Sequence, residues 1–280
     1  MTPLEIVIIV LVSLLALALI AFCAFLWMIK PGTRKCGMER FTQVRYAHRG
    51  LHDGGRPENS LSAFRAAKSA GYGIELDVRL SKDGKLVVFH DPTLHRVCGV
   101  EGRVIDYTAE ELSTMRLAGT SEGIPTFKQV LELIDGAIPM LIEIKMEPGE
   151  SGVAEKLAEE IKDYHGDYIV ESFNPMALRI MKKLMPSVPR GILSMRYADD
   201  EKFRGKPLYF LLENLVFNFL MRPDFIAYEK GRSKNKILRF IRKTWRTPLF
   251  AWTVRSEDEE ARAISDGYDT IIFERYLAKK

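Results

Sequence analysis

The stretch Ile74-Glu75-Leu76-Asp77-Val78-Arg79-Leu80-Ser81-Lys82-Asp83-Gly84-Lys85-Leu86-Val87-Val88-Phe89-His90 decides the fold. Residues 74–80 and 85–90 are β-rich runs separated only by Ser81-Lys82-Asp83-Gly84. That is too short for a parallel crossover, and Asp-Gly is a strong two-residue hairpin turn. The second run therefore returns antiparallel to the first. With Asp83 and Gly84 in the turn, Lys82 faces Lys85, and the same register sets Asp77 opposite His90.

Outward from this hairpin, short β-branched or apolar runs recur at residues 44–48, 140–145, 168–173, 190–194, 224–228, 249–254 and 270–273, separated by segments with helical spacing. Repeated βα units of this kind build a parallel sheet. With the hairpin arm set aside, eight strands remain, which predicts a TIM (β/α)8 barrel over residues 44–280 with an antiparallel arm at its mouth. Helices are expected at 60–70, 151–164, 175–184 and 256–266. Their starts carry suitable caps: Asn59 or Ser60, Asn174 before Pro175, and Ser256 with Glu259 three residues later.

Residues 6–29 contain no charge, and a helix of that length spans about 36 Å, more than a bilayer's hydrocarbon core. A cleaved signal peptide would have a shorter apolar region after a positive start, whereas here only Glu5 precedes the run. The expectation is a transmembrane anchor at 1–30, a basic juxtamembrane linker at 31–43 and a single-pass protein of the cell membrane. Lys30, Arg34, Lys35, Arg40 and Arg45 follow the apolar run, which places the catalytic domain on the cytoplasmic side. Cys23, Cys36 and Cys98 provide no disulfide framework and suit a reducing compartment. A net charge of +4 on 280 residues gives no case for a nucleic-acid partner.

Glu75 and Asp77 alternate onto one face of their strand while Leu76 and Val78 take the other. Two adjacent carboxylates repel, and a hard divalent cation, Mg²⁺ or Ca²⁺, relieves that repulsion. Glu143 and Lys145 repeat the spacing between Ile142 and Ile144, and charges in so apolar a strand demand partners. His48, followed by Arg49-Gly50, and His90, followed by Asp91, both end strands and so belong at the C-terminal mouth. Two histidines flanking a cation suit a general base on one side of a scissile bond and a general acid on the other. Arg49 offers a planar fork for phosphate oxygens. Phosphodiester cleavage is the natural reaction for this set.

The series Ala47-His48-Arg49-Gly50, Pro57-Glu58-Asn59-Ser60, Glu75-Leu76-Asp77, Asp83-Gly84, His90-Asp91, Glu143-Ile144-Lys145, Ser172-Phe173 and Trp252-Thr253-Val254 resembles, in order and spacing, the signatures of glycerophosphodiester phosphodiesterases. The resemblance implies a TIM-barrel enzyme that releases a glycerol phosphate and an alcohol. It implies that Glu75, Asp77 and Glu143 bind Ca²⁺ or Mg²⁺ and that His48 and His90 act as acid and base. By the same analogy Arg49 and Lys145 hold the phosphate, Glu58 supports the metal or His48, and Phe173 and Trp252 line the glycerol side. The first nucleophile is either water or a substrate hydroxyl that forms a cyclic phosphate. The sequence departs from the family pattern at Arg255, where an asparagine is usual, and at Phe273-Glu274-Arg275, which replaces Thr-Asp-x-Pro. These positions are expected to shape the pocket mouth rather than carry chemistry. His52, His95 and His165 read as surface or packing residues.

Two further segments bear on lipid. Within an apolar helical segment expected at 207–222, residues 208–221 are interrupted only by Glu213, Asn214 and Asn218, on one narrow side of a helix, and suit either barrel packing or the membrane interface. Residues 234–246 place Ile237, Leu238, Ile241 and Trp245 on one face and Lys236, Arg239, Arg242, Lys243 and Arg246 around the other. Near anionic lipid each such basic residue adds about 1 kcal/mol. Glycerophosphodiesters and lysophospholipids are both expected substrates. A catalytically inactive barrel that binds head groups is the alternative, although no ligand residue is missing.

Overall fold

The computed structural model describes residues 1–32, 37–147, 150–231 and 235–279; Arg34, Lys35 and Cys36 of the basic flank and Lys234 lie outside them. The strands are β1 (Tyr46–Ala47), β2 (Gly73–Leu80), β3 (Leu86–Val88), β4 (Met140–Ile144), β5 (Tyr168–Ser172), β6 (Arg190–Ser194), β7 (Phe225–Glu229), β8 (Leu249–Val254) and β9 (Thr270–Phe273). β1 pairs in parallel with both β2 and β9, which closes an eight-stranded parallel barrel, while β3 runs antiparallel on β2 outside the ring. This is the expected TIM barrel with its hairpin arm.

The hairpin differs from expectation by one residue. Val78 pairs with Val88 and Leu80 with Leu86, and the Ser81 N–H donates to the Lys85 carbonyl at 2.9 Å. The loop is therefore Lys82-Asp83-Gly84, closed by the Gly84 N–H on the Ser81 carbonyl at 3.0 Å, with Gly84 at φ 71°. A three-residue hairpin loop uses its glycine in this left-handed conformation, whereas a two-residue turn would need positive φ at Asp83 as well. Asp77 consequently lies against Phe89, whose N–H it accepts at 3.0 Å, and His90 falls beyond the end of the ladder.

Alternation of side chains sorts the barrel into two cores. Inside, Tyr46, Leu141, Ile169, Leu193, Phe225, Ala227, Phe250 and Ile272 fill the lower barrel. Met38 and Phe41, beside and within the short helix Glu39–Thr42, complete this cluster, so the segment read as a basic linker also supplies core. Gly191 makes room for Phe225, because a Cβ there would sit 2.1 Å from the ring. Outside, Ile74, Leu76, Val78, Ile142, Ile144, Val170, Ile192, Ile226, Ala251 and Ile271 pack against the helices. Ser60, Asn174 and Ser256 cap the helices Leu61–Ala70, Pro175–Leu184 and Glu257–Ser265 through their side-chain oxygens, as expected.

The apolar segment is not one helix. It breaks into Pro207–Glu213 and Asn218–Met221, with Leu215 at φ 58°, so Glu213, Asn214 and Asn218 do not share a helical face. The first piece lies at the mouth end of the barrel: Ser194 Oγ donates to the Leu212 carbonyl at 3.1 Å and the Tyr228 hydroxyl to that of Glu213 at 3.2 Å. Leu208 and Phe210 are 53% and 66% exposed there. The basic helix is Lys236–Trp245, with Leu238 and Ile241 buried.

Pro3–Ile29 is a single helix whose best window has a mean hydropathy of 3.3, long and apolar enough to cross a membrane. Its last turn belongs to the barrel. Ile29 is buried, and Phe25, Leu26 and Met28 pack on the outer core. Asn218 Nδ2 donates to the Ile29 carbonyl at 2.8 Å, and Arg222 Nη1 donates to those of Trp27 and Lys30 at 2.8 and 2.7 Å. The Arg222 guanidinium lies 5.0 Å from the centre of the Trp27 ring. The terminal carbonyls of a helix lack intrahelical donors, and here the barrel supplies them.

Candidate active site

Inward-facing positions at the C-terminal ends of the strands bring the expected residues together. Glu75 and Asp77 from β2 and Glu143 from β4 are buried, and one ligand oxygen from each lies within 4.8 Å of the others. Asp77 and Glu143 are register partners, and Glu143 is in turn the partner of Glu171 on β5. Lys145 Nζ reaches Glu143 Oε1 at 2.6 Å and Asp77 Oδ1 at 3.1 Å. Asn59, buried at φ 57°, donates from Nδ2 to Asp77 Oδ2 at 2.7 Å.

The electrostatics follow from this crowding. Burial first, then the charges of Asp77 and Glu143, push the Glu75 carboxyl well above its usual range. Burial also raises Glu143, with Lys145 pulling the other way. Glu171, 1% exposed with Oε2 lacking a hydrogen-bond partner, is driven well up by burial, Glu143 and Glu75. Burial opposes ionisation of Asp77 too, yet Lys145, His90 and Arg49 hold it well below. When ionised, the four carboxylates Glu75, Asp77, Glu143 and Glu171 outnumber by two the permanently charged cations that pair with them among the described residues, Lys145 and Arg49. Convergent hard oxygens with that excess fit one Mg²⁺- or Ca²⁺-type ion.

His48 follows β1 and turns Nε2 toward Glu75 Oε2 at 4.0 Å. Its Nδ1 bonds Glu274 Oε2 at 2.7 Å, just past β9, and burial lowers the imidazole to about 4 despite the opposing pull of Glu274. Glu274 is itself bonded at 2.6 Å by Arg255 Nε, and His52 Nε2 lies 3.7 Å from it. Burial resists ionisation of Glu274, but His48, His52 and Arg255 hold its carboxyl well below the usual range. The two departures expected to be chemically silent, Arg255 and Glu274, thus form an ion pair directly behind His48. His52 sits in the same cluster rather than at a remote surface, whereas His95 is exposed and pairs with Glu101.

His90 follows β3 with Nδ1 bonded to Asp91 Oδ1 at 2.6 Å, and it lies close enough to Asp77 and Glu143 to help ionise both. Arg49 comes off β1 at φ 54°; its N–H donates to Glu75 Oε2 at 2.9 Å and its Nη1 to Glu58 Oε1 at 2.6 Å. Its Nε is buried without a hydrogen-bond acceptor and lies 3.6 Å from Asp77 Oδ2. Glu58 meets the carboxylate cluster through Arg49, which it holds at 2.6 Å. Two guanidiniums, Arg49 and Arg96, share it, and against the effect of burial they hold its carboxyl at about 2. Phe173 and Trp252 meet edge to face at 5.4 Å, and Trp252 Nε1 is buried without an acceptor.

The model of the glycerophosphoryl diester phosphodiesterase family matches residues 48–277, from the first histidine to the last strand's exit. This chain belongs to that family. It is 35% identical over 241 residues to a glycerophosphodiester phosphodiesterase of Caldanaerobacter subterraneus, covering 81% of this chain and 91% of the relative. The crystal structure of the glycerophosphodiester phosphodiesterase of Thermotoga maritima is 31% identical, with a TM-score of 0.61 over 82% of this chain and 94% of that one. A phosphodiesterase of Oleispira antarctica, solved with its product sn-glycerol-3-phosphate, shares the fold at a TM-score of 0.66 and 24% identity, over 82% of this chain and 92% of that one. Of the polar residues here, the sequence gives Glu171 no role, Asn59 only that of a helix cap within a signature, and Glu274 only a place at the pocket mouth. Strand parity could have pointed Glu171 and Glu274 inward, since Glu171 shares it with Ile169 and Phe173, and Glu274 with Ile272.

Proposed function

We propose that this protein hydrolyses glycerophosphodiesters to a glycerol phosphate and an alcohol, using one divalent cation and two histidines. The observation that carries the reading is the convergence of Glu75, Asp77 and Glu143 beside His48, inside a barrel of this family. A cation held by the three carboxylates, Mg²⁺ or Ca²⁺, would polarise the phosphate and offset the charge that builds on it.

The chain's own residues supply the rest. Arg49 Nε, buried 3.6 Å from Asp77 Oδ2 without a hydrogen-bond acceptor, takes a phosphate oxygen, and Lys145, on the other oxygen of Asp77, adds a second positive charge. His48 receives the nucleophile's proton at Nε2, because Glu274 occupies Nδ1 and fixes the ring with Nε2 toward the carboxylates. The nucleophile is water or a substrate hydroxyl. His90, whose side chain is 32% exposed against 15% for His48, donates a proton to the alcohol departing toward solvent. Phe173 and Trp252 offer an apolar edge and one free N–H to the glycerol moiety.

The test is hydrolysis of glycerophosphocholine by the full-length protein with and without added cation, beside His48→Ala and Glu75→Ala. Chelation and both substitutions abolish turnover; unchanged activity in both variants overturns the assignment. Lysophospholipid substrates are a second reading, supported by the exposed Leu208 and Phe210 on the mouth-end helix. Comparing glycerophosphocholine with lysophosphatidylcholine in one assay separates the two.

The helix Pro3–Ile29 is read as a retained membrane anchor, since burial of Ile29 and the bonds from Asn218 and Arg222 make its end part of the folded barrel. Intact mass of the membrane-extracted protein tests this, and a form cleaved before residue 30 refutes it. A cytoplasmic catalytic domain is supported by the basic residues after the anchor. Ready labelling of Cys98 by an impermeant reagent on intact cells refutes that orientation.

A further inference from the structure

His90 is held at a place where the sheet no longer holds it. β3 ends at Val88, the last ladder-like bond is the Phe89 N–H to the Asp77 carbonyl, and His90 follows without a strand partner. A histidine one residue past a ladder would normally inherit the freedom of a loop. Here the guanidinium of Arg79 closes on its peptide: Nε and Nη2 both donate to the His90 carbonyl, at 2.9 and 2.8 Å.

Arg79 is well placed to do so. It shares the inward parity of Glu75 and Asp77 on β2, two residues beyond the second carboxylate, so one strand carries both the cation ligands and this grip. It is 4% exposed, and its fork is oriented from the far side by Glu147 Oε1 at 3.2 Å and Glu150 Oε2 at 3.9 Å. Arg103 braces Glu150 at 2.7 Å. The side chain borders a cavity of about 320 Å³ lined also by Leu80, Arg103, Val104, Ile105, Glu150 and Val153. Two donors from one rigid plane, converging on a single oxygen, fix its position within that plane, which one ammonium cannot do.

We propose that Arg79 is a positioning residue that sets His90 against the reacting phosphate through its backbone carbonyl. This rests on the reading of His90 as a participant in catalysis. Displacement of a reacting group by about 1 Å can cost on the order of 10²-fold in rate. Arg79→Ala is therefore expected to lower kcat by about 10- to 100-fold, with KM and the cation-induced rise in melting temperature unchanged.

The test is a double-mutant cycle on the full-length protein in detergent, with glycerophosphocholine at saturating cation: Arg79→Ala, Arg79→Lys, His90→Ala and the double variants. If Arg79 acts through His90, its substitution costs nothing further once His90 is alanine, and Arg79→Lys recovers part of kcat. An equal loss in both backgrounds overturns the proposal, as does wild-type kcat in Arg79→Ala beside a crippled His90→Ala. Wild-type activity in His90→Ala instead overturns the role of His90 itself. Should Arg79→Ala fail to melt cooperatively, Arg79→Lys carries the same comparison.

Discussion

Replacing Glu274 by glutamine tests the least expected part of the site. The carboxylate accepts from His48 Nδ1 at 2.7 Å and from Arg255 Nε at 2.6 Å, and it is 8% exposed. Glutamine keeps the shape but offers one oxygen and one NH₂ to two donors, so one bond is lost and the charge behind the imidazole disappears. That charge matters most when His48 has taken a proton and become an imidazolium. A hydrogen bond to a charged group contributes about 1.5–3 kcal/mol, and each 1.36 kcal/mol is tenfold in rate, so kcat should fall by about 10- to 150-fold. Cation affinity should stay near wild type, because Glu274 is not among the converging carboxylates. Steady-state kinetics at saturating cation, with calorimetric titration of the cation, separate the two effects. A folded Glu274→Gln protein with kcat within about threefold of wild type would refute the role assigned to Glu274.

Three further outcomes are expected. Because burial raises the Glu75 and Glu143 carboxyls, the cation-free fold holds protons that the unfolded chain has already released; their contribution is full below the ordinary carboxylate range and is lost as pH rises through the raised values. Cation binding should therefore expel protons and its thermal stabilisation should grow with pH, whereas a binding heat independent of the buffer's ionisation enthalpy would contradict this. Ile29→Ala should destabilise the protein by about 2–4 kcal/mol, read as a lowered melting temperature of the full chain in detergent, and an unchanged melt would mean that the helix end does not pack on the barrel. Gly191→Ala should cost about 1–3 kcal/mol by forcing its methyl into the Phe225 ring, and a wild-type melt would show that the ring has somewhere else to go.

The parts of this protein that were legible in its sequence are those governed by short-range periodicity. Alternation along residues 74–80 and 140–145 is enough to put Glu75, Asp77 and Glu143 on the inward side, and the recurrence of short β-rich runs is enough to predict eight barrel strands. The hairpin register differs by one because Asp83-Gly84 serves two loop lengths equally well, and the backbone angle at Asp83, which is not positive, distinguishes them. For Glu171 strand parity gives only its inward direction, shared with Ile169 and Phe173; its significance comes from Glu143 on the neighbouring strand. Glu274 and Arg255 were set aside as departures from a pattern, yet each departure is the other's partner across the last two strands. The buried end of the helix Pro3–Ile29 was equally hidden, since a hydropathy run reports length and composition, not which turn meets the barrel.

That buried end has a mechanical consequence. A flexible tether lets a domain wander over about 5–6 Å times the square root of its length in residues, independent of how its anchor leans. Asn218 and Arg222 instead grip the carbonyls of Trp27, Ile29 and Lys30, which makes helix and barrel one lever. Spanning helices lean to accommodate the thickness of the bilayer around them. If Pro3–Ile29 spans a membrane, as proposed, the locked joint passes each degree of lean to the barrel, and membrane thickness becomes an input to the direction in which the mouth opens.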